Sequence, residues 1–304
     1  MLPNIVIAGA PRCGTTALFE YLSEHPEVSV SRLKETSYFI DEEYYSSRFL
    51  QSKLPKYFSH PLSEYEKFFE NSNGGGKVII EASPDYLYQV DALASLAQLK
   101  SNPKVIFILR KPSSRVYSMY KFSQGQLGII SDQMSFASFV QRAKDTDYFG
   151  KQGLNILNNV IENGKYINYL RNFSEHFGRE RMTIILFEDL IDNPNKMLSK
   201  ISLDLGIDSS FFDAFEAKIS NNSVAVKSKL LQLMVRQAPI PLALRYGDGY
   251  IKKVFRKIYR KLNTAPLIQK TSDVKFVLKE LDEEYQNSIS SLESEFELDL
   301  ARWR

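Results

Sequence analysis

The sequence predicts an α/β fold in which a central parallel sheet is flanked by helices, and three features carry that prediction. A short apolar run at residues 4–9 (NIVIAG) leads straight into a glycine-bearing turn and an amphipathic stretch. Two further runs, KVIIE at 77–81 and KVIFIL at 104–109, have the continuous, β-branched hydrophobicity of strands buried on both faces. Helical segments separate the runs, and repeated strand-helix alternation implies parallel strands joined by helical crossovers.

Each element follows in order. After the first turn, Ala17, Leu18, Tyr21 and Leu22 recur at helical spacing, and His25-Pro26 ends that helix. Val28–Val30 reads as a short strand. Residues 41–75, rich in Tyr, Phe, Ser and charge, close on NSNGGG, a loop signal, and read as an insertion. Helices are expected at 91–99 and 113–121, and helical periodicity at 154–177 rests on Tyr166, Tyr169, Leu170 and Phe173. MTIILF at 182–187 completes the strands. Glu188-Asp189-Leu190 follows it, and Asp192-Asn193-Pro194 opens a helix that closes at Leu205-Gly206-Ile207. One domain is expected over 1–304, with its core in 4–207 and a helical part in 208–304.

Composition narrows the classes of function. A hydrophobic content of 43% over 304 residues suits a globular protein with a sizeable core. A net charge of +3 is too small for broad nucleic-acid coating, so no nucleic-acid partner is expected, but it suits an anionic ligand. With Cys13 as the single cysteine, no intrachain disulfide is possible. The three histidines show no zinc-ligand spacing, and no metal is expected. No apolar run reaches the ~18 residues that a membrane span needs. The first strand begins within a few residues of Met1, so the expectation is a soluble, cytoplasmic protein without a signal peptide.

The turn after the first strand, Ala10-Pro11-Arg12-Cys13-Gly14-Thr15-Thr16, is where the chemistry begins. First-turn N–H groups of a helix have no intrahelical partners and carry the positive end of its dipole, so a strand-turn-helix of this kind can cradle a phosphate. Gly9 and Gly14 have the spacing of the ATP-binding P-loop, yet Thr15 stands where that motif needs its lysine. The nearest cation, Arg12, precedes the second glycine.

That displaced cation followed by Gly-Thr-Thr resembles the 5′-phosphosulfate loop of sulfotransferases that use 3′-phosphoadenosine 5′-phosphosulfate (PAPS). Most of that family writes the loop with lysine, and the protein-tyrosine branch is similar to the Arg12 version. Arg110-Lys111-Pro112-Ser113-Ser114-Arg115-Val116-Tyr117-Ser118-Met119-Tyr120, after KVIFIL, resembles the family's 3′-phosphate signature R-x-P-x-x-R-x-x-S-x-Y. Arg110 leaves the carboxyl end of a central strand, where open α/β sheets bind ligands, and a guanidinium can chelate a phosphate bidentately. Ser118 lies about two turns into the next helix and offers a hydroxyl; taken alone, each reads better as a surface residue, Arg110 capping a strand and Ser118 on a helix surface.

The resemblance implies a P-loop-like sulfotransferase fold and an enzyme that moves a sulfuryl group from PAPS to a hydroxyl. It implies that Arg12, Cys13, Gly14, Thr15, Thr16 and Ala17 hold the 5′-phosphosulfate, and Arg110 and Ser118 the 3′-phosphate. Lys227 falls where relatives place a basic loop over that phosphate. Lys34-Glu35-Thr36-Ser37-Tyr38-Phe39 is similar to a heparan-type stretch whose glutamate acts as the base, so Glu35 is the implied base and Arg12 its catalytic counterpart on the leaving group. Glu81-Ala82-Ser83-Pro84-Asp85-Tyr86 resembles heparan-type E-K-[ST]-P-x-Y with Ala82 in place of the lysine. Glu81 and Asp85 are alternatives for orienting the acceptor or taking its proton, and His60 is another, because hormone and phenol sulfotransferases use histidine.

A carbohydrate or glycolipid acceptor follows from the heparan-type resemblance and from Tyr38, Phe39, Tyr44, Tyr45 and Tyr86, which either stack on sugar faces or belong to the core. A protein tyrosine or a small metabolite is the alternative acceptor, and a non-catalytic nucleotide-binding protein the alternative class. Residues 252–262, KKVFRKIYRKL, set an apolar face against Lys and Arg. Such a stretch lies on an anionic membrane, here the inner face, or packs on the domain with its basic side solvated.

Overall fold

A computed structural model describes residues 1–44, 54–70, 76–145, 148–152, 154–217, 224–226, 264–266 and 271–304. These fall into two compact units. The first comprises 1–111, 165–220 and 285–304; the second comprises 112–164 and 221–284.

The first unit is built on a sheet whose strands are all parallel: β1 (Ile5–Gly9), β2 (Val28–Val30), β3 (Val78–Ala82), β4 (Lys104–Leu109) and β5 (Met182–Leu186). Their spatial order is β2-β3-β1-β4-β5. Every residue of β1 is buried, as is all of β4 after Lys104, which explains why both runs are apolar throughout rather than alternating. Each such Val, Ile or Leu contributes about 1.5–3 kcal/mol of burial free energy. The chain runs from β1 outward to β2, back to β3 beside β1, and then across to β4 on β1's other side. That reversal opens a crevice at the carboxyl ends of β1 and β4, the place where such sheets take ligands.

Helices α1 (Thr15–Ser23), α2 (Leu62–Glu66) and α3 (Asp91–Ala97) belong to this unit. The carboxylate of Asp41 accepts the N–H groups of Val90, Asp91 and Ala92 and so fixes the start of α3. The second unit holds α4 (Pro112–Gln124) and α5 (Phe136–Ala143), the latter capped by Ser135. It also holds the antiparallel pair β6 (Val224–Val226) and β7 (Thr264–Pro266). Returning to the first unit, α6 (Tyr166–Phe177), α7 (Phe187–Asp192) and α8 (Pro194–Leu205) follow. Asn193 caps α8 through the Lys196 N–H, Pro194 starts it, and Gly206 ends it at φ 69°. Helix α9 (Thr271–Phe296) comes last, and a 3₁₀ turn, Ala301–Trp303, follows it.

One expectation needs correction. Helical periodicity was expected from 154, but 155–157 and 162–164 form 3₁₀ turns and the α-helix begins at Tyr166. Asn159 at φ 57° breaks the run, in keeping with the preference of Asn for turns over helix interiors. Lys227, residues 252–262 and Tyr45 lie outside the described residues. Among the described residues no helix is long and apolar enough to cross a membrane.

Candidate active site

Two loops leave the carboxyl side of the sheet carrying the chemistry that the sequence singles out. The first joins β1 to α1. Its Ala10 N–H donates to the Ile108 carbonyl of β4 at 2.9 Å, so the loop starts tied to the neighbouring strand. Arg12 (φ 71°) and Gly14 (φ 92°) are both left-handed, and the second demands glycine twice over. A Cβ at Gly14 would also come within 2.8 Å of the Phe187 ring. Gly14 offers α1 no side-chain cap, leaving the first-turn N–H groups of Thr15, Thr16 and Ala17 to face an anion.

Arg12 is half-buried, and burial lowers its guanidinium pKa to about 10. Cys13 and Glu35 oppose that shift, whereas the positive charge of Arg110 adds to it. These couplings bring Arg12, Arg110 and Glu35 into one electrostatic neighbourhood. Two cations held near each other on a half-buried surface favour a multivalent anion, which relieves both repulsion and desolvation.

Arg110 follows β4 directly. Its guanidinium lies 4.6 Å from the centroid of the Phe187 ring, the same ring that would meet a Gly14 Cβ. Tyr166, buried on α6, donates its hydroxyl to the Arg110 carbonyl at 2.9 Å and places that oxygen 3.6 Å from the Cys13 sulfur. Phe187 and Tyr166 therefore join the two cation-bearing segments, and sequence reasoning missed both. The signal for Phe187 was present in the FEDL stretch but was read for chain order alone; Tyr166 gave no signal beyond helical periodicity. Ser118 is buried on α4 of the second unit.

The second loop runs from β2 past the end of β3. The Glu35 N–H donates to the Ala82 carbonyl at 2.8 Å, and Glu35 (φ 66°) and Ser37 (φ 49°) both adopt the left-handed region, uncommon for such residues. The Glu35 side chain is 56% exposed and pairs with Lys34. Beneath it lies Glu81, wholly buried. Thr36 donates to Glu81 Oε1 at 2.9 Å and Ser83 donates to the same oxygen, while Ser83 Oγ accepts the Ser37 N–H at 3.0 Å. The Tyr86 hydroxyl accepts the N–H groups of Tyr38 and Phe39 at 3.0 and 3.2 Å. Burial pushes Glu81 up to about 7; the Ser83 and Thr36 hydroxyls and the charge of Lys34 work against that rise, and the charge of Glu35 adds to it.

The remaining candidates have other roles. Tyr38, Phe39 and Tyr86 are core residues, with Tyr38 stacked 4.9 Å from Tyr65. Tyr44 donates to Asp85 at 2.6 Å. His60 is exposed and its ring lies 2.9 Å from the Ser59 hydroxyl. His25 is buried against the Asp208 carbonyl at 2.8 Å. Arg115, fully buried, donates to the Val160 carbonyl within the second unit.

The family model of the sulfotransferase domain matches residues 2–230. Among curated proteins, a bifunctional heparan sulfate N-deacetylase/N-sulfotransferase 1 of Caenorhabditis elegans is 25% identical over 221 residues, which is 67% of this chain and 22% of that protein. Human heparan sulfate glucosamine 3-O-sulfotransferase 3B1 is 24% identical over 208 residues, 68% of this chain and 46% of that protein. The chain thus spans less than half the length of either relative. A crystal structure of a sulfotransferase from Alicyclobacillus acidocaldarius aligns at TM-score 0.68 and 20% identity, covering 100% of this chain and 99% of that one. That likeness shows the P-loop-like architecture.

Proposed function

Because this chain belongs to the sulfotransferase-domain family, we propose that it transfers the sulfuryl group of PAPS to a hydroxyl of a carbohydrate or glycolipid. The observation that carries the donor assignment is geometric: Arg12 and Arg110 leave the carboxyl ends of adjacent strands β1 and β4, the Phe187 ring packs against both the Gly14 turn and the Arg110 guanidinium, and uncapped helix N–H groups lie beside them. This arrangement fits a nucleotide with phosphate at both its 5′ and 3′ positions. Arg12, Cys13, Gly14, Thr15, Thr16 and Ala17 would hold the 5′-phosphosulfate, and Arg110, with Ser118 and Lys227 from the family motif, the 3′-phosphate.

PAPS, when bound, supplies an activated sulfuryl group on a phosphate leaving group. Glu35, exposed beside Lys34, takes the proton of the acceptor hydroxyl as its oxygen becomes nucleophilic. Arg12 and the loop N–H groups stabilise negative charge on the departing phosphate, and being fixed beforehand they reorganise little during transfer. The carbohydrate acceptor is supported by the heparan sulfate sulfotransferases among the relatives.

Thermal melts with the desulfated product, adenosine 3′,5′-bisphosphate, test the donor assignment. The expected result is a rise in Tm that Arg110→Ala abolishes, followed by transfer of ³⁵S from labelled PAPS to members of a carbohydrate panel. Stabilisation by ATP with Mg²⁺ and indifference to the bisphosphate would sink the reading.

A further inference from the structure

The Arg110–Lys111 peptide unit is held at both of its polar ends. Its carbonyl accepts the Tyr166 hydroxyl at 2.9 Å, and its N–H donates to Glu188 Oε1 at 3.1 Å. Trp303 meets both holders. Its indole N–H donates to Glu188 Oε2 at 3.1 Å, and its ring centroid lies 6.2 Å from that of Tyr166. Trp303 is the only tryptophan in the chain and is 1% exposed.

A peptide unit is planar, so with Leu109 fixed in β4 on one side of Arg110, holding this unit on the other fixes the rotation about the Arg110 Cα–C bond and the direction in which its Cα–Cβ bond leaves the strand. The anchoring also answers a local need. Lys111 lies between the end of β4 and the start of α4, where Pro112 has no N–H to continue any ladder. A carboxylate from α7 supplies the acceptor. The residue just before it, Phe187, supports the guanidinium itself. The remaining acids of α7 are taken by the same distant segment, with Arg302 paired to Asp189 at 2.6 Å and to Asp192 at 2.5 Å. Arg302 and Trp303 therefore grip the helix that aims Arg110.

We propose that Glu188 and Trp303 are positioning residues for the 3′-phosphate, acting through the Arg110–Lys111 peptide to hold the Arg110 guanidinium in its phosphate-binding direction. The inference rests on the assignment of Arg110 to the 3′-phosphate. Both residues work without touching the ligand: Trp303 orients Glu188, and Glu188 holds the peptide.

Calorimetric titration with two probes tests it, adenosine 3′,5′-bisphosphate and adenosine 5′-phosphate, which lacks the 3′ group. Trp303→Phe removes only the indole donor, and Glu188→Gln keeps the shape but leaves one oxygen to accept where two accepted before. Each is expected to weaken bisphosphate binding about fivefold, the scale of one lost hydrogen bond, and to leave monophosphate affinity unchanged. A purely structural defect would weaken both nucleotides alike and would overturn the proposal, as would a wild-type ratio in both variants while Arg110→Ala collapses it. If Arg110→Ala itself leaves the ratio intact, the assignment of Arg110 falls and takes the inference with it. Should Trp303→Phe fail to fold, the isosteric Glu188→Gln decides alone.

Discussion

The loop after β1 and the loop after β2 solve the same problem by opposite means. Each presents one reactive side chain on a left-handed, non-glycine residue, Arg12 at φ 71° and Glu35 at φ 66°. The first loop is anchored by backbone, through Ala10 to β4 and through Gly14 to the helix, and its cation is half-buried. The second is anchored largely by side chains, a buried acid with Thr36, Ser83 and Tyr86 around it, and its carboxylate stands exposed. Under the proposed function, rigid backbone suits a donor that is always the same nucleotide. A loop held by side chains can be re-aimed by a few substitutions, which suits the side that, in the proposed reading, chooses an acceptor.

Breaking each loop at its reactive residue gives the largest effects and separates the two roles. Glu35→Gln keeps shape and removes the proposed proton acceptor; transfer is expected to fall by about 10²–10⁴, with affinity for adenosine 3′,5′-bisphosphate unchanged in calorimetry. Full turnover in that variant would remove Glu35 as the base and leave the donor site standing. Arg12→Ala should lower transfer by about 10²–10³ and weaken the bisphosphate as well, since the proposal gives this cation both a binding and a leaving-group role. Equal binding by wild type and Arg12→Ala would place the phosphates elsewhere.

What could be read in the sequence divides along the same line. The sheet strands, the crossover order and the first loop were legible because buried parallel strands are apolar throughout and a left-handed turn requires Gly14. Arg12, Arg110 and Glu35 were legible as motif residues, and the electrostatic coupling among them is what the structure adds. Phe187 stood in a legible stretch, FEDL, without its contact being legible; Tyr166 and Trp303 were not legible at all, because they lie in segments tens of residues away and obey only helical or apolar patterns locally. The aromatic residues of 38–39 and 86 read as either sugar platforms or core; Tyr38 and Phe39 pack on Tyr65, Tyr86 packs on Phe39, and all three are buried core residues. Glu81 could be seen as an acid at a strand end, but its complete burial could not.

That burial gives the support of the second loop a pH dependence near neutrality, whereas the lowered Arg12 of the first loop titrates only at about 10. Glu81 is held near 7, above the range of an unfolded glutamate, so the native state binds the extra proton between roughly pH 4.5 and 7. Stability contributed by the neutral acid is full below that window and is lost as pH rises through it, by about 3 kcal/mol in all. Glu81→Gln should flatten this slope in denaturant titrations at pH 5 and pH 8. An unchanged slope would show that Glu81 is not the titrating group.

The smallest expected effect sharpens the comparison most, because it touches neither reactive residue. Thr36 is fully buried; its hydroxyl donates to Glu81 and lies 3.2 Å from the Tyr86 oxygen. Thr36→Val keeps the volume and deletes the hydroxyl, costing about 1–2 kcal/mol because Glu81 Oε1 is left with Ser83 as its donor. That hydroxyl lowers the Glu81 pKa, so its loss should push the midpoint of the stability profile further up in pH. Acceptor turnover should fall with it, since the Glu35 loop loses one of its ties, while bisphosphate affinity stays at the wild-type value. A variant that lost nucleotide affinity in step with turnover would show the two loops to be a single cooperative element, and the division of labour drawn between them would fail.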